Sequence, residues 1–206
     1  MRMPEYLKEI NHAATETLRL VWLEQEQYEA LQATLAALGA EITDTHERIA
    51  WLQANPDFDD DLQSTAMYWE SYFGSEKETF HADAEKHGLE SLIAARKFST
   101  NAQSGNILQY AKQGISLVHR GLDACPEGRH IGTVPVRDVI WQGRNQAIHW
   151  DEGRFTPPVR AVFEGLARDV DPEFNAFTSR NMAFDVVSLL GWRGFTDFKR
   201  DLLSLG

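Results

Sequence analysis

Apolar residues recur at steps of three and four through the first part of the chain, and this spacing is the strongest constraint on its fold. The pattern extends from Pro4 to about Ala37 and is that of an amphipathic helix with one face turned to a core. Its members are Leu7, Ile10, Ala14, Leu18, Val21, Trp22, Tyr28, Leu31, Leu35 and Leu38. Proline, which breaks such helices, occurs only 7 times in 206 residues. An all-α fold is therefore expected.

The end of this helix has two interpretations. Gly39 is a candidate stop, Thr43 or Asp44 is a candidate cap for a second helix, and Pro56 would end that second helix. The first part of the chain is then either a helical hairpin or one long helix that bends. We expect two domains, an N-terminal helical arm (1–56) and a helical bundle (57–206).

Helical spacing continues in the rest of the chain, interrupted by turn-forming residues such as Gly74 and the cluster Ser99-Thr100-Asn101. Residues 123–134, with their proline and two glycines, are expected to form a loop. The predicted helices cover about 61–73, 76–98, 103–122, 135–150, 156–168, 180–190 and 194–204.

The charge of the chain is unevenly distributed. The net charge is −11 at pH 7, whereas proteins that bind polyanions usually present a positive surface. Residues 96–160 are the exception, because they carry 9 Lys and Arg against 5 Asp and Glu. If the protein binds a nucleic acid, this basic segment is therefore the expected binding region.

The sequence indicates a cytoplasmic protein without metal or other cofactor. Cys125 is the only cysteine, which excludes an intramolecular disulfide and a thiolate cluster within one chain. No signal peptide is apparent, and no stretch approaches the roughly 18 apolar residues of a membrane span. The acidic run 57–61 lacks the spacing and the glycine of a calcium loop, and it suits the start of the next helix.

The helix predicted after Pro135 has two different sides. With Val136 at zero on a helical wheel, a core stripe lies within about 60° of that direction. Its other members are Val139, Ile140, Gly143, Ala147 and Trp150. Asn145 and His149, four residues apart, lie together on the opposite side, at about 180° and 220°.

Arg144 lies between these two sides, near Trp141 and Ile148. These two apolar residues form a second seam that the core stripe does not account for. A second subunit is the natural cover for such a seam, so a homodimer is expected.

The segment Arg144-Asn145-Gln146-Ala147-Ile148-His149 resembles the Arg-x(4-6)-His motif of the HEPN superfamily, in its Arg-Asn-x-x-x-His form. The resemblance implies a HEPN-like helical bundle, a dimer in which two motifs face one cleft, and RNA cleavage without a metal. Members also often carry an upstream polar residue that lines the cleft. The resemblance covers the motif helix and, by architecture, residues 60–206.

The residue types fit this chemistry. Attack by a ribose 2′-OH needs a group that moves protons near neutral pH, so His149 is the expected general acid or base. The phosphorane gathers negative charge, and the guanidinium of Arg144 can hold two of its oxygens. Asn145 can orient the imidazole or a phosphate oxygen.

Further cationic side chains flank the motif and are candidates for following an RNA backbone. They are Arg129, His130, Arg137, Arg154 and Arg160. The last two can equally serve to neutralise the acidic first half of the chain. Trp141 or Trp150 can stack on an unpaired base, although the position of Trp150 on the core stripe favours packing.

Three functional hypotheses follow. The first is a metal-independent endoribonuclease, as a toxin or defence effector with an antitoxin or regulatory protein as a possible partner. The second is a dimeric HEPN-like module that binds RNA, a nucleotide or a protein without cutting. The third assigns the function to the acidic N-terminal helices, as a docking module for a basic protein.

Overall fold

A computed structural model describes the backbone of residues 1–54 and 62–206, with the side chains of 1–47, 50–51 and 81–206. The fold class is all-α, as predicted. Six α-helices are described: α1 (Met3–Ala54), α2 (Leu62–His119), α3 (Val136–His149), α4 (Pro157–Asp169), α5 (Ala183–Leu190) and α6 (Phe195–Ser204). Two 3₁₀ helices, Trp150–Glu152 and Pro172–Thr178, follow α3 and α4.

The chain divides into two compact units. One unit contains residues 1–25 and 97–206, and the other contains residues 26–96. In the second unit every described side chain keeps at least partial exposure. The predicted boundary between Pro56 and Asp57 lies outside the described residues, as does the acidic run 57–61.

The first helix continues through its predicted stop. α1 passes Gly39 and Asp44 without a break, so the hairpin was wrong and the long helix is what forms. A helical glycine costs only about 1 kcal/mol relative to alanine, which a long helix can absorb.

The predicted breaks in the second helix were also wrong, because α2 is continuous through Gly74 and through residues 99–101. In the latter cluster the polar side chains find partners that a helix permits. Asn101 donates from Nδ2 to the carbonyl of Lys97 one turn back, and its Oδ1 accepts from the amide of Phe184. Thr100 is buried against the core. Such bonds remove the advantage of leaving the helix.

A small hairpin replaces the predicted loop before α3. Strands β1 (His130–Ile131) and β2 (Val134–Pro135) pair antiparallel, with Ile131 opposite Val134. Gly132 makes the turn at φ +60°, a conformation that favours glycine. Asp169, at the end of α4, accepts hydrogen bonds from the amide and the hydroxyl of Thr133. The hairpin is thereby tied to α4.

The core of the first unit is mainly aliphatic and contains several large aromatic side chains. Trp192, Phe163 and Phe198 are fully buried. α3 crosses close to α5, since a Cβ added at Gly143 would lie 2.9 Å from a methyl group of Val186. The close approach holds one side of α3 against the core. Side chains on another side of α3 contact α2.

Cys125 is a free, buried cysteine, and burial raises the pKa of its thiol to about 11. Among the described residues, no helix combines the length and apolar character needed to cross a membrane.

Candidate functional site

The core side of α3 forms largely as the wheel predicts. Val136, Val139 and Ile140 are completely buried, and Gly143 is buried as well. Ala147 is partly buried and packs against the core, whereas 38% of Trp150 is exposed. The prediction that Trp150 packs in the core was wrong. The α-helix ends at His149 and the chain tightens into a 3₁₀ helix, whose different twist moves Trp150 off the stripe.

Gln146, inside the motif, is fully buried and anchors α3 to the segment that follows α4. Its Nε2 donates to the carbonyls of Phe177 and Arg180, at 2.9 and 2.7 Å. Its Oε1 accepts from the amide of Met182 at 3.0 Å. Every polar atom of the side chain has a partner, so this residue is structural.

Arg144 lies at the seam between α3 and α2. It is partly buried, and its Nε donates a 2.5 Å hydrogen bond to Oε1 of Gln109 on α2. Burial lowers the pKa of the guanidinium, which nevertheless remains charged at any physiological pH. In the part of the chain that the structure describes, this guanidinium has no carboxylate partner.

Asn145 contacts α2 as well. Its Oδ1 accepts a 2.9 Å hydrogen bond from Nζ of Lys112, and its Nδ2 donates to Oε1 of Gln142 at 3.0 Å. The Lys112 ammonium also lies 4.5 Å from the centroid of the Trp141 ring, within the range of a cation–π contact. Asn145 is thus held between a cation and an amide.

Lys112 and Arg144 form a pair of neighbouring cations. Burial, followed by repulsion from Arg144, lowers the pKa of Lys112. Their hydrogen-bond partners are the neutral amides of Asn145 and Gln109. Among the described residues, the hydrogen bonds of these two cations go to amides and not to carboxylates, although the net charge of the chain is −11. Two neighbouring positive charges repel each other, and a bound anion would reduce this repulsion.

His149 ends α3 and is accessible to solvent, with 48% of its side chain exposed. Its Nδ1 lies 2.6 Å from Oε1 of Glu152, in the 3₁₀ helix that follows. A histidine in the last turn also lies at the negative end of the helix dipole.

Among the motif residues, α3 therefore presents Arg144 and Asn145 to α2, and His149 to solvent about one turn further on. The first two are brought together with Gln109 and Lys112. The imidazole is paired with Glu152. Neither the guanidinium nor the imidazole is sealed in the hydrophobic interior.

Three of the flanking cationic residues make internal contacts. Arg129 donates from Nε and Nη2 to the two carboxylate oxygens of Asp201, both at 2.8 Å, and from Nη2 to the carbonyl of Leu190.

The other two of these residues are Arg137 and His130. Arg137 donates to the carbonyl of Cys125 and is only 22% exposed. His130 lies 3.4 Å from Glu127.

Arg154 and Arg160 differ from these three. Both are exposed, and no acidic partner is found for either within the described ranges. Of the flanking set, these two keep cationic groups that remain available to a phosphate backbone.

Sequence reasoning missed Gln109 and Lys112 of α2, and it missed Glu152. Gln109 and Lys112 are three residues apart, within the basic segment 96–160 and on one face of a predicted helix. That was the available signal, but a lysine and a glutamine in a helix are too common to single out. Only the packing of α2 against α3 identifies them.

Comparison with protein-family models, with curated protein sequences and with solved structures finds no match for this chain. The resemblance to the HEPN superfamily rests on the motif of α3 and on its helical setting.

Proposed function

We propose that the protein is a metal-independent endoribonuclease of the HEPN type. The observation that carries the proposal is the pair Lys112 and Arg144, two neighbouring cations whose hydrogen-bond partners among the described residues are neutral amides. An exposed imidazole, His149, lies about one helical turn away on the same helix as the guanidinium. A phosphodiester supplies the anion that the cations lack, and the imidazole supplies proton transfer.

In the proposed reaction the ribose 2′-oxygen attacks the adjacent phosphorus as a histidine removes its proton. The bond from phosphorus to the 5′-oxygen breaks, and a second acid protonates that oxygen. The products are a 2′,3′-cyclic phosphate and a 5′-hydroxyl. Arg144 and Lys112 stabilise the charge that develops on the non-bridging oxygens.

The proposal includes a homodimer in the cytoplasm. Each chain has one motif, whereas the reaction uses one base and one acid, so two copies of His149 in one cleft would supply both. Ile148 is 47% exposed next to this histidine, which is consistent with an apolar surface that a second subunit covers. A toxin or defence role, with an antitoxin or regulatory protein as a further partner, belongs to the same proposal.

The experiment is cleavage of RNA by the purified full-length protein in the presence of EDTA. We expect products with cyclic phosphate ends from the wild type and none from His149→Ala. His12→Ala is the matched control, because this histidine is also exposed and lies on α1. Cleavage that survives His149→Ala would overturn the proposal. RNA binding without cleavage by the wild type would favour a non-catalytic module.

A further inference from the structure

The end of α3 has a geometry that fixes the histidine of the motif. The α-helix stops at His149, the chain continues as the 3₁₀ helix Trp150–Glu152, and Gly153 closes it at φ +64°. In a 3₁₀ helix, residues three apart lie on the same side. His149 precedes this helix and Glu152 ends it, so the backbone itself brings the two side chains together.

The contact is short and its chemistry is defined. Nδ1 of His149 lies 2.6 Å from Oε1 of Glu152. An ionised carboxylate only accepts hydrogen bonds, so Nδ1 must carry the proton that is shared. In the neutral ring the proton is then absent from Nε2, which becomes the basic nitrogen.

We propose that Glu152 is a positioning residue that holds His149 in the Nδ1–H tautomer and so makes Nε2 the nitrogen that accepts the 2′-OH proton. The catalytic part of this inference rests on the proposed function, whereas the tautomer does not. Because both side chains are about half exposed, at 48% and 59%, solvent screens their electrostatic attraction, and the contribution of Glu152 is the orientation of the ring.

Asp151 is the matched control for Glu152. It is an exposed acid in the same 3₁₀ helix, one residue away, and it changes the local charge equally when replaced. An effect of Glu152→Ala that Asp151→Ala does not share therefore comes from the contact with His149 and not from charge alone.

The first measurement is the tautomer of His149 in the full-length protein, from long-range ¹H–¹⁵N correlations of ¹⁵N-histidine at a pH at which the ring is neutral. We expect Nδ1–H in the wild type and in Asp151→Ala. Glu152→Ala should change the ring to Nε2–H, the form that free histidine prefers in water. Glu152→Gln should retain Nδ1–H, because the amide oxygen still accepts. Nε2–H in the wild type would overturn the inference.

The second measurement is RNA cleavage by the same variants. Glu152→Ala should lower kcat by about tenfold to a hundredfold with little change in KM, and Glu152→Gln should recover part of the loss. An active wild type whose kcat is unaffected by Glu152→Ala would refute the positioning role. If the wild type shows Nδ1–H but does not cleave RNA, the proposed function fails while the assignment of the Glu152 contact stands.

Discussion

Lys112 of α2 donates a 2.9 Å hydrogen bond to Asn145 of α3, and this bond connects the motif to a cation that lies 33 positions earlier in the sequence. The ammonium is held in place by Asn145 and by the face of Trp141. It is therefore pre-positioned beside Arg144 before any ligand arrives. A cation ordered in this way loses little entropy when it binds a phosphate.

Replacement of Lys112 by methionine should weaken RNA binding and reduce its dependence on salt. One phosphate contact on a single strand contributes about 0.7 to the slope of log K against log salt concentration. We expect the slope to fall by about that amount in Lys112→Met, measured by titration of a single-stranded RNA at several salt concentrations. Lys199→Met is the control, since this lysine is exposed on α6. An unchanged slope would remove Lys112 from the site.

Replacement of Arg129 should affect stability more than RNA binding. Its partner Asp201 is only 2% exposed, and in Arg129→Ala this carboxylate would keep, of its hydrogen bonds to described residues, the one from Trp192 Nε1. We expect the free energy of unfolding to fall by about 2 to 3 kcal/mol, measured by urea denaturation.

The matched variant is Arg160→Ala, which removes an exposed arginine. It should leave the free energy of unfolding within about 0.5 kcal/mol of the wild type and weaken RNA binding instead. If Arg129→Ala is as stable as the wild type and binds RNA poorly, Arg129 is a binding residue, as its place in the sequence predicted.

The sequence determines the helices of this protein well where the apolar period is uninterrupted. The start of α3, the end of the 3₁₀ helix that continues it and the start of α4 follow from Pro135, Gly153 and the prolines that begin α4, because these residues restrict the backbone directly. Gly39 and the polar cluster at 99–101 predicted breaks that do not form. Their effect on the backbone is small, and tertiary contacts such as that of Asn101 with Phe184 outweigh it.

The candidate site could be predicted only in part, for a similar reason. The motif is local in sequence, so Arg144, Asn145 and His149 could be found from their spacing. Lys112 acquires its importance from the packing of two helices, which no spacing rule gives. Arg129 shows the converse, since a basic residue near the motif proves to be paired with Asp201, which lies 72 positions later.

Gln146 should be essential for stability although it lies in the middle of the motif. Gln146→Leu removes the partners of two carbonyls and one amide, those of Phe177, Arg180 and Met182. Because buried polar groups without partners are costly, we expect a loss of about 2 to 4 kcal/mol in the free energy of unfolding.

Gln113→Leu makes the same substitution at an exposed position of α2 and should be nearly neutral for stability. Thermal unfolding of both variants provides the comparison. Below its melting temperature, Gln146→Leu should retain the kcat of the wild type, because the polar atoms of Gln146 already bind the backbone of Phe177, Arg180 and Met182. A normal melting temperature with a large loss of kcat would assign Gln146 to the reaction itself.

Because of Tyr6, the free energy of unfolding of the first unit should fall as the pH is raised into the alkaline range. The residue is 2% exposed, and its hydroxyl donates a 2.7 Å hydrogen bond to the carbonyl of Tyr110. Burial, with smaller contributions from Tyr110 and Glu9, raises the pKa of its phenol to about 12. In the unfolded chain a tyrosine titrates near 10.

A raised pKa in the folded state means that the stabilisation by Tyr6 is complete below about pH 10 and is lost as the pH rises toward about 12. Over that interval the unfolded chain releases a proton that the folded protein keeps, which favours unfolding by about 1.4 kcal/mol for each pH unit. Tyr6→Phe lacks the hydroxyl and its hydrogen bond to Tyr110, so it should be less stable than the wild type near neutral pH by about 1 kcal/mol. It also has no proton to lose in this range, so its stability should not fall with the titration of residue 6. The difference between the two proteins in urea denaturation should shrink, and then reverse, as the pH is raised above about 10. A difference that stays constant across that range would mean that the phenol titrates alike in both states, and that its bond to Tyr110 does not persist in solution.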